Sequence, residues 1–460
     1  MSYDAIIIGA GMSGLAAGIR LAMYGKKVVV LEKHTISGGL NSYYQRRIPS
    51  TKEIFQFDVG LHALTNFAKK GEKRKPLTKL LRQLRIGYDE LELCEQTFSQ
   101  IHFKSAKLNF SNDFELLQSE VKSIFPEEFD NFQKLYQYIL EFNEVDLNAD
   151  YLSAKKVLES YIATPLLREM LIAPLLIYGS AWENDMDFSQ FVIMFKALYL
   201  EGFSRPRGGV RTILSLLENK FKEVGGELRY RSSVESIEYN ESGVSGVVLK
   251  NGEKLESKKV FSSAGLPETM DMCQKEKRSI IGKLSFTETI LVFDKKIKHS
   301  ENEPTIIFYN DSDQYNYQRA QNFYDASSAV ICFPDNYESQ NKDGHGVARL
   351  TFMAHFDQWN NLEKPDYLTK KNEVLSESKR ILKNLNVEQS EIYSDVFTPT
   401  TIKRYTNHFD GTVYGSTTKY RDGQTKIDGL YIIGTDQGFL GIVGSMLSGI
   451  SISNLYGLME

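Results

Sequence analysis

The chain has 460 residues, 42% of them apolar and 25% charged, with a formal net charge of −4 and a pI near 6.1. That is the make-up of a globular protein with enough chain for two domains, and its mildly acidic balance excludes the electrostatic footprint of a nucleic-acid binder. Three separated cysteines (Cys94, Cys273, Cys332) without a C-x-x-C pair, and seven histidines without ligand spacing, exclude a disulfide framework and a metal site and favour a reducing, cytoplasmic setting.

The first element is a short apolar β-type run, Tyr3-Asp4-Ala5-Ile6-Ile7-Ile8, and Gly9-Ala10-Gly11-Met12-Ser13-Gly14 follows at once. A helical pattern comes next (Leu15, Ile19, Leu21, Ala22), then a second apolar run, Val28 to Leu31, ending on Glu32. Strand, glycine turn, helix, strand and acid is the layout of a dinucleotide-binding βαβ unit. Gly9 permits the tight turn, Gly11 lets backbone approach a pyrophosphate, and Gly14 lets helix pack on strand. Ser13 lies in the same turn, and Glu32 is placed to accept hydrogen bonds from ribose hydroxyls. The helix start offers unpaired N–H groups and a partial positive charge to the pyrophosphate. No charged leader or apolar stretch precedes the first strand, so a secretory signal is not expected.

After Glu32 come Lys33-His34-Thr35-Ile36-Ser37-Gly38-Gly39-Leu40-Asn41-Ser42. An NAD domain does not need a glycine pair here. The stretch resembles the L-E-x-x-x-x-x-G-G segment of FAD-dependent oxidoreductases, which makes Lys33, Gly38, Gly39, Leu40 and Asn41 candidates for the flavin side of the site.

The basic stretch Lys69 to Lys75 reads as a solvated loop, with contact to anionic headgroups as a second reading. From Pro76 to Leu200 the pattern is mostly helical, and Ile162 to Tyr178, broken by Pro165, Arg168, Glu169 and Pro174, lacks the roughly 20 apolar residues of a membrane span. Phe188, Phe191, Phe195, Tyr199 and Phe203 fall at helical spacing. They read as core, or alternatively as an apolar tunnel or a membrane-contact surface.

Past Pro206-Arg207-Gly208-Gly209 a helix follows (Ile213, Leu214, Leu217, Phe221), then strand-like runs at Val234–Tyr239 and Val244–Leu249, and another ending at Val260-Phe261-Ser262-Ser263-Ala264-Gly265. Residues 284–408 read as strands with one helix near Leu375. Gly429 to Gly434 is a buried-strand pattern leading through Thr435-Asp436-Gln437-Gly438 into a last helix opened by Gly441-Ile442-Val443-Gly444-Ser445.

Several of these segments together resemble the phytoene desaturase, carotenoid isomerase and retinol saturase group of FAD enzymes, retinol saturases most. They are Val30-Leu31-Glu32-Lys33-His34-Thr35 with Gly38-Gly39, and Phe57-Asp58-Val59-Gly60-Leu61-His62. The others are Pro206-Arg207-Gly208-Gly209, Thr398-Pro399-Thr400-Thr401 through Gly411-Thr412-Val413-Tyr414-Gly415, and Leu430 to Gly449. The resemblance is weak over 67–205.

It implies an α/β fold with a discontinuous Rossmann-type FAD-binding domain (1–66, 206–283, 409–460), a helical insertion facing substrate or membrane (67–205) and an α+β substrate domain (284–408). It further implies that Val234 and Ala264 lie against FAD, that Asp436 after Gly434 binds the ribityl chain, and that the helix start at Gly441, Ile442 and Val443 faces the flavin ring.

The chemistry implied is saturation, isomerisation or desaturation of a carbon–carbon double bond in an apolar polyene or isoprenoid lipid, with a membrane surface as an admitted partner. A reductase needs a proton donor, and His62 is the first candidate because imidazole titrates near neutrality. Its other reading is a backbone hydrogen-bonding role. Tyr405 and Tyr414 are further candidates, or packing residues. No second G-x-G-x-x-G unit occurs, so the electron donor or acceptor is unassigned. An amine oxidase-type flavoenzyme and a flavin-binding scaffold without turnover are the competing readings.

Overall fold

The computed structural model describes residues 2–60, 62–276, 278–297, 304–337, 344–387 and 390–459, so Leu61 of the F-D-x-G-x-H motif lies outside the described residues. A five-stranded parallel sheet forms the first body, in the order Leu430–Ile432, Val260–Ser262, Ala5–Ile8, Val28–Leu31, Glu227–Arg229. Both faces are covered, which is why its inner strands Ala5–Ile8 and Val28–Leu31 read as unbroken apolar runs. Alternate residues Ala5, Ile7, Val28 and Val30 meet the helices Met12–Ala22, Val210–Glu223 and Gly441–Ile452. Ile6, Ile8, Val29 and Leu31 point the other way, onto a three-stranded antiparallel sheet of Val234–Asn240, Gly243–Leu249 and Lys254–Glu256.

The second body is built on a seven-stranded sheet, ordered Glu391–Phe397, Ser285–Phe293, Gly346–Ala354, Tyr324–Cys332, Ile306–Asn310, Ser99–His102, Lys107–Phe110. Its last two strands come from the stretch read as a helical insertion, and Ser99–His102 pairs in parallel with Ile306–Asn310. Helix Lys364–Asn384 packs on one face, through Val374, Ile381 and Leu382. The aromatic helical block covers the other: Phe188, Phe191, Phe195, Tyr199 and Phe203 are each 0% exposed and pack with Phe110 and Phe308. They are core residues and line no tunnel. Helix Pro165–Gly179 is largely buried, and among the described residues no helix is long and apolar enough to cross a membrane.

Residues 67–205 therefore divide between the two bodies. Helix Pro76–Leu84 buries Leu77, Leu80, Leu81 and Leu84 with the opening and closing helices of the first body, Leu93–Glu95 pairs with Ser204–Pro206 in a sheet of their own, and the strands Ser99–His102 and Lys107–Phe110 join the second sheet.

Candidate functional site

The carboxyl ends of the parallel strands open into a cavity of about 330 Å³. Three glycines of the opening turn do different work. Gly9 has φ +93°, and a Cβ there would stand 2.5 Å from Ser263 Oγ; at Gly14 it would stand 2.0 Å from the Gly9 carbonyl oxygen. Gly11 has ordinary extended geometry (φ −73°, ψ 179°), and an added Cβ would meet nothing within 4 Å. Protein sterics demand glycine at the first two positions, whereas at Gly11 the space belongs to whatever fills the cavity. The helix beginning there has no side-chain cap, so its first N–H groups are available to an anion.

Glu32 is buried at the end of its strand, where Oε2 accepts the Ala10 N–H (3.0 Å) and Oε1 the His34 N–H (2.9 Å). Gly38, at φ +110°, donates its N–H to the Ala10 carbonyl at 2.9 Å and so folds Gly38–Asn41 over the start of the helix. Ser13, Lys33, Gly39, Leu40, Asn41, Val234, Ala264 and Gly434 also line the cavity. Burial holds the Lys33 ammonium below its ordinary value.

Asp436, 2% exposed, takes three donors from the protein: the N–H groups of Leu266 (2.6 Å) and Ser416 (2.8 Å), and Lys419 Nζ (3.0 Å). A carboxylate has about four acceptor positions, so this side chain first ties three loops together and has one position left for a ligand.

A second cavity, of about 200 Å³, shares Leu40, Asn41, Thr435 and Ser445 with the first. Gly441 and Ile442 line it at the uncapped start of the closing helix. The Val443 side chain is instead fully buried between helix and sheet, which leaves only its N–H for a ligand. The walls are mainly apolar, Ile177, Phe286, Val330 and Val413 among them, with Asn41, Thr65, Glu288, Thr351 and Ser445 among the polar side chains.

The central polar group is His62. Its Nε2 lies 3.0 and 3.2 Å from the two carboxylate oxygens of Glu288. Thr351 Oγ1 donates to Glu288 at 2.7 Å and Arg349 Nε at 2.6 Å. Burial raises the Glu288 carboxyl, but the Arg349 guanidinium and then His62 lower it by more, holding it down at about 2. The main chain of His62 is held as well: its carbonyl accepts from Tyr337 Oη (3.2 Å), Arg205 Nη1 (3.3 Å) and Cys332 Sγ (3.5 Å). Arg205 also pairs with Asp58, whose Oδ1 accepts the Val210 N–H at 3.2 Å. The F-D-x-G-x-H segment thus meets the residues that flank P-R-G-G, Arg205 before it and Val210 after it, at Asp58.

The two tyrosines separate. Tyr414 lines the second cavity, but its hydroxyl donates to the carbonyl of Ile177 near the end of helix Pro165–Gly179, where a helix leaves carbonyls unpaired. Tyr405 is 52% exposed and lines the first cavity beside His34, so it does not meet His62. Ser263, Glu268, Thr435 and Ser445 line the first cavity without having been singled out. The same is true of Glu288, Arg349 and Thr351 around His62. A lone acid in Ser285–Phe293 and a lone base in Gly346–Ala354 were the available signal: Glu288 pairs directly across from Thr351, and Arg349 is two residues along on the same face.

The open space at Gly11, two uncapped helix starts and a buried acid fit a dinucleotide pyrophosphate and ribose, and the adjoining apolar cavity fits a flavin site with room for substrate beside it. Comparisons agree with that geometry. The chain is 25% identical to the chloroplastic prolycopene isomerase of Daucus carota, over 97% of this chain and 79% of that one. It is also 25% identical to the all-trans-retinol 13,14-reductase of Danio rerio, over 58% of this chain and 48% of that one. In fold it matches an oxidoreductase from Methanosarcina mazei, with a TM-score of 0.64 at 16% identity, over 99% of this chain and 100% of that one. The family model for flavin containing amine oxidoreductases matches residues 12–454, so the chain belongs to that family and is an FAD-dependent oxidoreductase.

Proposed function

We propose that the protein acts on a carbon–carbon double bond of an apolar polyene or isoprenoid lipid, saturating or isomerising it. One observation carries the reading: a mainly apolar cavity with a single anchored imidazole opens beside the dinucleotide cavity, across the start of the closing helix. The names of the relatives, a prolycopene isomerase and a retinol reductase, agree with a polyene.

FAD supplies hydride or electron exchange when bound. Gly11 and the opening helix would hold its pyrophosphate, Glu32 its ribose, Val234 and Ala264 its adenosine side, and Gly38–Asn41 with Gly441–Val443 its flavin side. The protein's own part is to desolvate the polyene between Ile177, Phe286 and Val413 and to move a proton. Because the ionised Glu288 accepts Nε2–H, Nδ1 of His62 is the nitrogen assigned to proton exchange with substrate. Tyr414 is assigned to structure, and Tyr405 to the adenosine end. A separate donor supplies reducing equivalents.

The substrate is taken from a membrane surface. Val145 (60% exposed), Leu147 (56%), Tyr151 (51%) and Leu152 (40%) support this, clustered in the segment between helices Phe129–Glu141 and Ala154–Tyr161.

The second cavity is lined by Tyr178, Phe286, Phe397 and Tyr414 as well as by aliphatic side chains, so the choice of a polyene over an amine rests on what the named relatives act on. Titrating the FAD-loaded protein with carotenoids and retinoids, and separately with putrescine, tests the substrate class. The flavin absorbance band should shift with the polyenes; a shift with putrescine alone would refute the reading.

A further inference from the structure

Thr65 lines the second cavity and is 4% exposed. Its Oγ1 lies 3.3 Å from where a Cβ on Gly441 would stand, beside the uncapped start of the closing helix. Two side chains outside the cavity, Asn66 and Glu201, decide which way its hydroxyl points.

The chain of hydrogen bonds begins at Glu201. Lys75 Nζ stands 3.7 Å from its Oε1, and its Oε2 accepts the Asn66 Nδ2–H at 2.9 Å. Burial raises the Glu201 carboxyl, and the Asn66 amide and the Lys75 ammonium work against that rise. The Asn66 backbone is pinned as well. It sits at φ +61°, a left-handed conformation that asparagine tolerates, and its N–H donates to the Ala197 carbonyl at 3.2 Å. With its NH₂ end turned to a carboxylate, Asn66 presents Oδ1 to Thr65, whose hydroxyl donates to it at 3.0 Å. A hydroxyl has one proton and two acceptor lone pairs. The proton is committed to Asn66, and among the described residues Oγ1 accepts no hydrogen bond. Buried polar atoms are normally paired, so the lone pairs at this wall suit a ligand that donates.

We infer that Thr65 Oγ1 is the acceptor for the imide N–H of the flavin ring. Donor and acceptor chemistry selects that group. The conjugated carbons of a polyene carry no donor. The pyrimidine edge of a flavin carries one N–H between two carbonyls, and that edge complements an acceptor set beside the unpaired N–H groups of a helix start. The ribityl hydroxyls also donate, but their partner Asp436 lines the first cavity and not the second. Thr65 follows His62 by three residues, so one short stretch of chain carries both the ring acceptor and the imidazole and sets their spacing. The inference rests on the flavin ring lying at the start of the closing helix, and on nothing in the polyene reading.

The test uses the full chain loaded with FAD and, by exchange, with FAD methylated at N3, which lacks the imide proton. Flavin release after dilution is followed by its fluorescence. Methylation should speed release from the wild type at least about tenfold, as expected for a buried hydrogen bond lost. Thr65→Val keeps the shape without the hydroxyl. It should speed release of FAD by a similar factor and of the methylated flavin by less than about threefold. Thr65→Ser should restore wild-type release of FAD. Glu201→Gln leaves the cavity wall intact but gives Asn66 a partner that can donate, which frees the amide to turn. It should speed release of FAD more than of the methylated flavin, and it carries the test if Thr65→Val retains no flavin. Methylation without effect on the wild type would put the ring elsewhere and overturn this inference together with that placement. Equal acceleration of both flavins by the substitution, or none of either, would overturn the inference alone.

Discussion

Nε2 of His62 stands 3.0 Å from Oε1 of Glu288, and Glu288 is in turn held by Arg349 and Thr351. The imidazole is fixed by its side chain from the sheet and by its carbonyl from Arg205 and Tyr337. Glu288→Gln keeps the shape and removes the anion. It should leave FAD content unchanged and lower turnover about 10²-fold, the lower end of what a positioned acid contributes.

It should also change acid stability. The Glu288 carboxyl lies below its unfolded value of 4.5, at about 2, so its contribution is present above pH 4.5 and is lost as pH falls toward 2. Melting temperature against pH should therefore fall across that window in the wild type and be flatter in Glu288→Gln. At neutral pH the variant should lose about 3–5 kcal/mol, because the Glu288 charge that offsets the buried Arg349 guanidinium is removed. A variant with wild-type acid sensitivity would place the titrating group elsewhere.

Gly11 and Gly14 should respond oppositely. Gly11→Val should change the stability of the FAD-free protein by no more than about 1 kcal/mol, since its Cβ meets no protein atom, yet abolish FAD binding. Gly14→Ala places a Cβ 2.0 Å from the Gly9 carbonyl and should cost about 1–3 kcal/mol of stability whether or not FAD is present. Thermal melts with and without FAD separate the two.

That contrast bears on what a sequence can say. The opening unit was legible because an unbroken apolar run gives way to helical spacing after Gly9–Gly14 and returns at Val28, as a parallel sheet covered on both faces has to read. The seven-stranded sheet was only partly legible. Ser99–His102 and Lys107–Phe110 are four residues each, too short for alternation to stand out among helices, and this hairpin joins the sheet only through the pairing of Ser99–His102 with the distant strand Ile306–Asn310. The residues lining the first cavity followed from local motifs. The partners of His62 did not, because Glu288 and Thr351 meet it only through cross-strand register.

Tyr414→Phe should act on stability more than on turnover. The hydroxyl serves the Ile177 carbonyl, and leaving that buried group unpaired costs about 1–3 kcal/mol. Turnover per folded molecule should stay within about threefold, and Tyr405→Phe, at an exposed position, should change neither. A hundredfold loss in Tyr414→Phe would return that tyrosine to the proton-transfer step.

Membrane attachment should run through apolar side chains. The segment bearing Val145, Leu147, Tyr151 and Leu152 also carries Glu144, Asp146 and Asp150, so anionic lipid should not strengthen binding. Flotation on phosphatidylcholine liposomes should persist at high salt and be lost in a Val145→Asp, Leu147→Asp double variant. Loss in Lys73→Gln instead would assign attachment to the basic loop.

We propose chemistry at a polyene double bond with His62 moving the proton. Its most direct measurement is product mass after anaerobic incubation of the reduced, FAD-loaded enzyme with carotenoids, retinoids and unsaturated prenyl lipids. The predicted result is a gain of two mass units (saturation) or no mass change with a shifted spectrum (isomerisation). His62→Ala should slow either at least about 10²-fold while retaining FAD. Unchanged polyenes throughout, with peroxide released from an amine under air, or full turnover in His62→Ala, would contradict it.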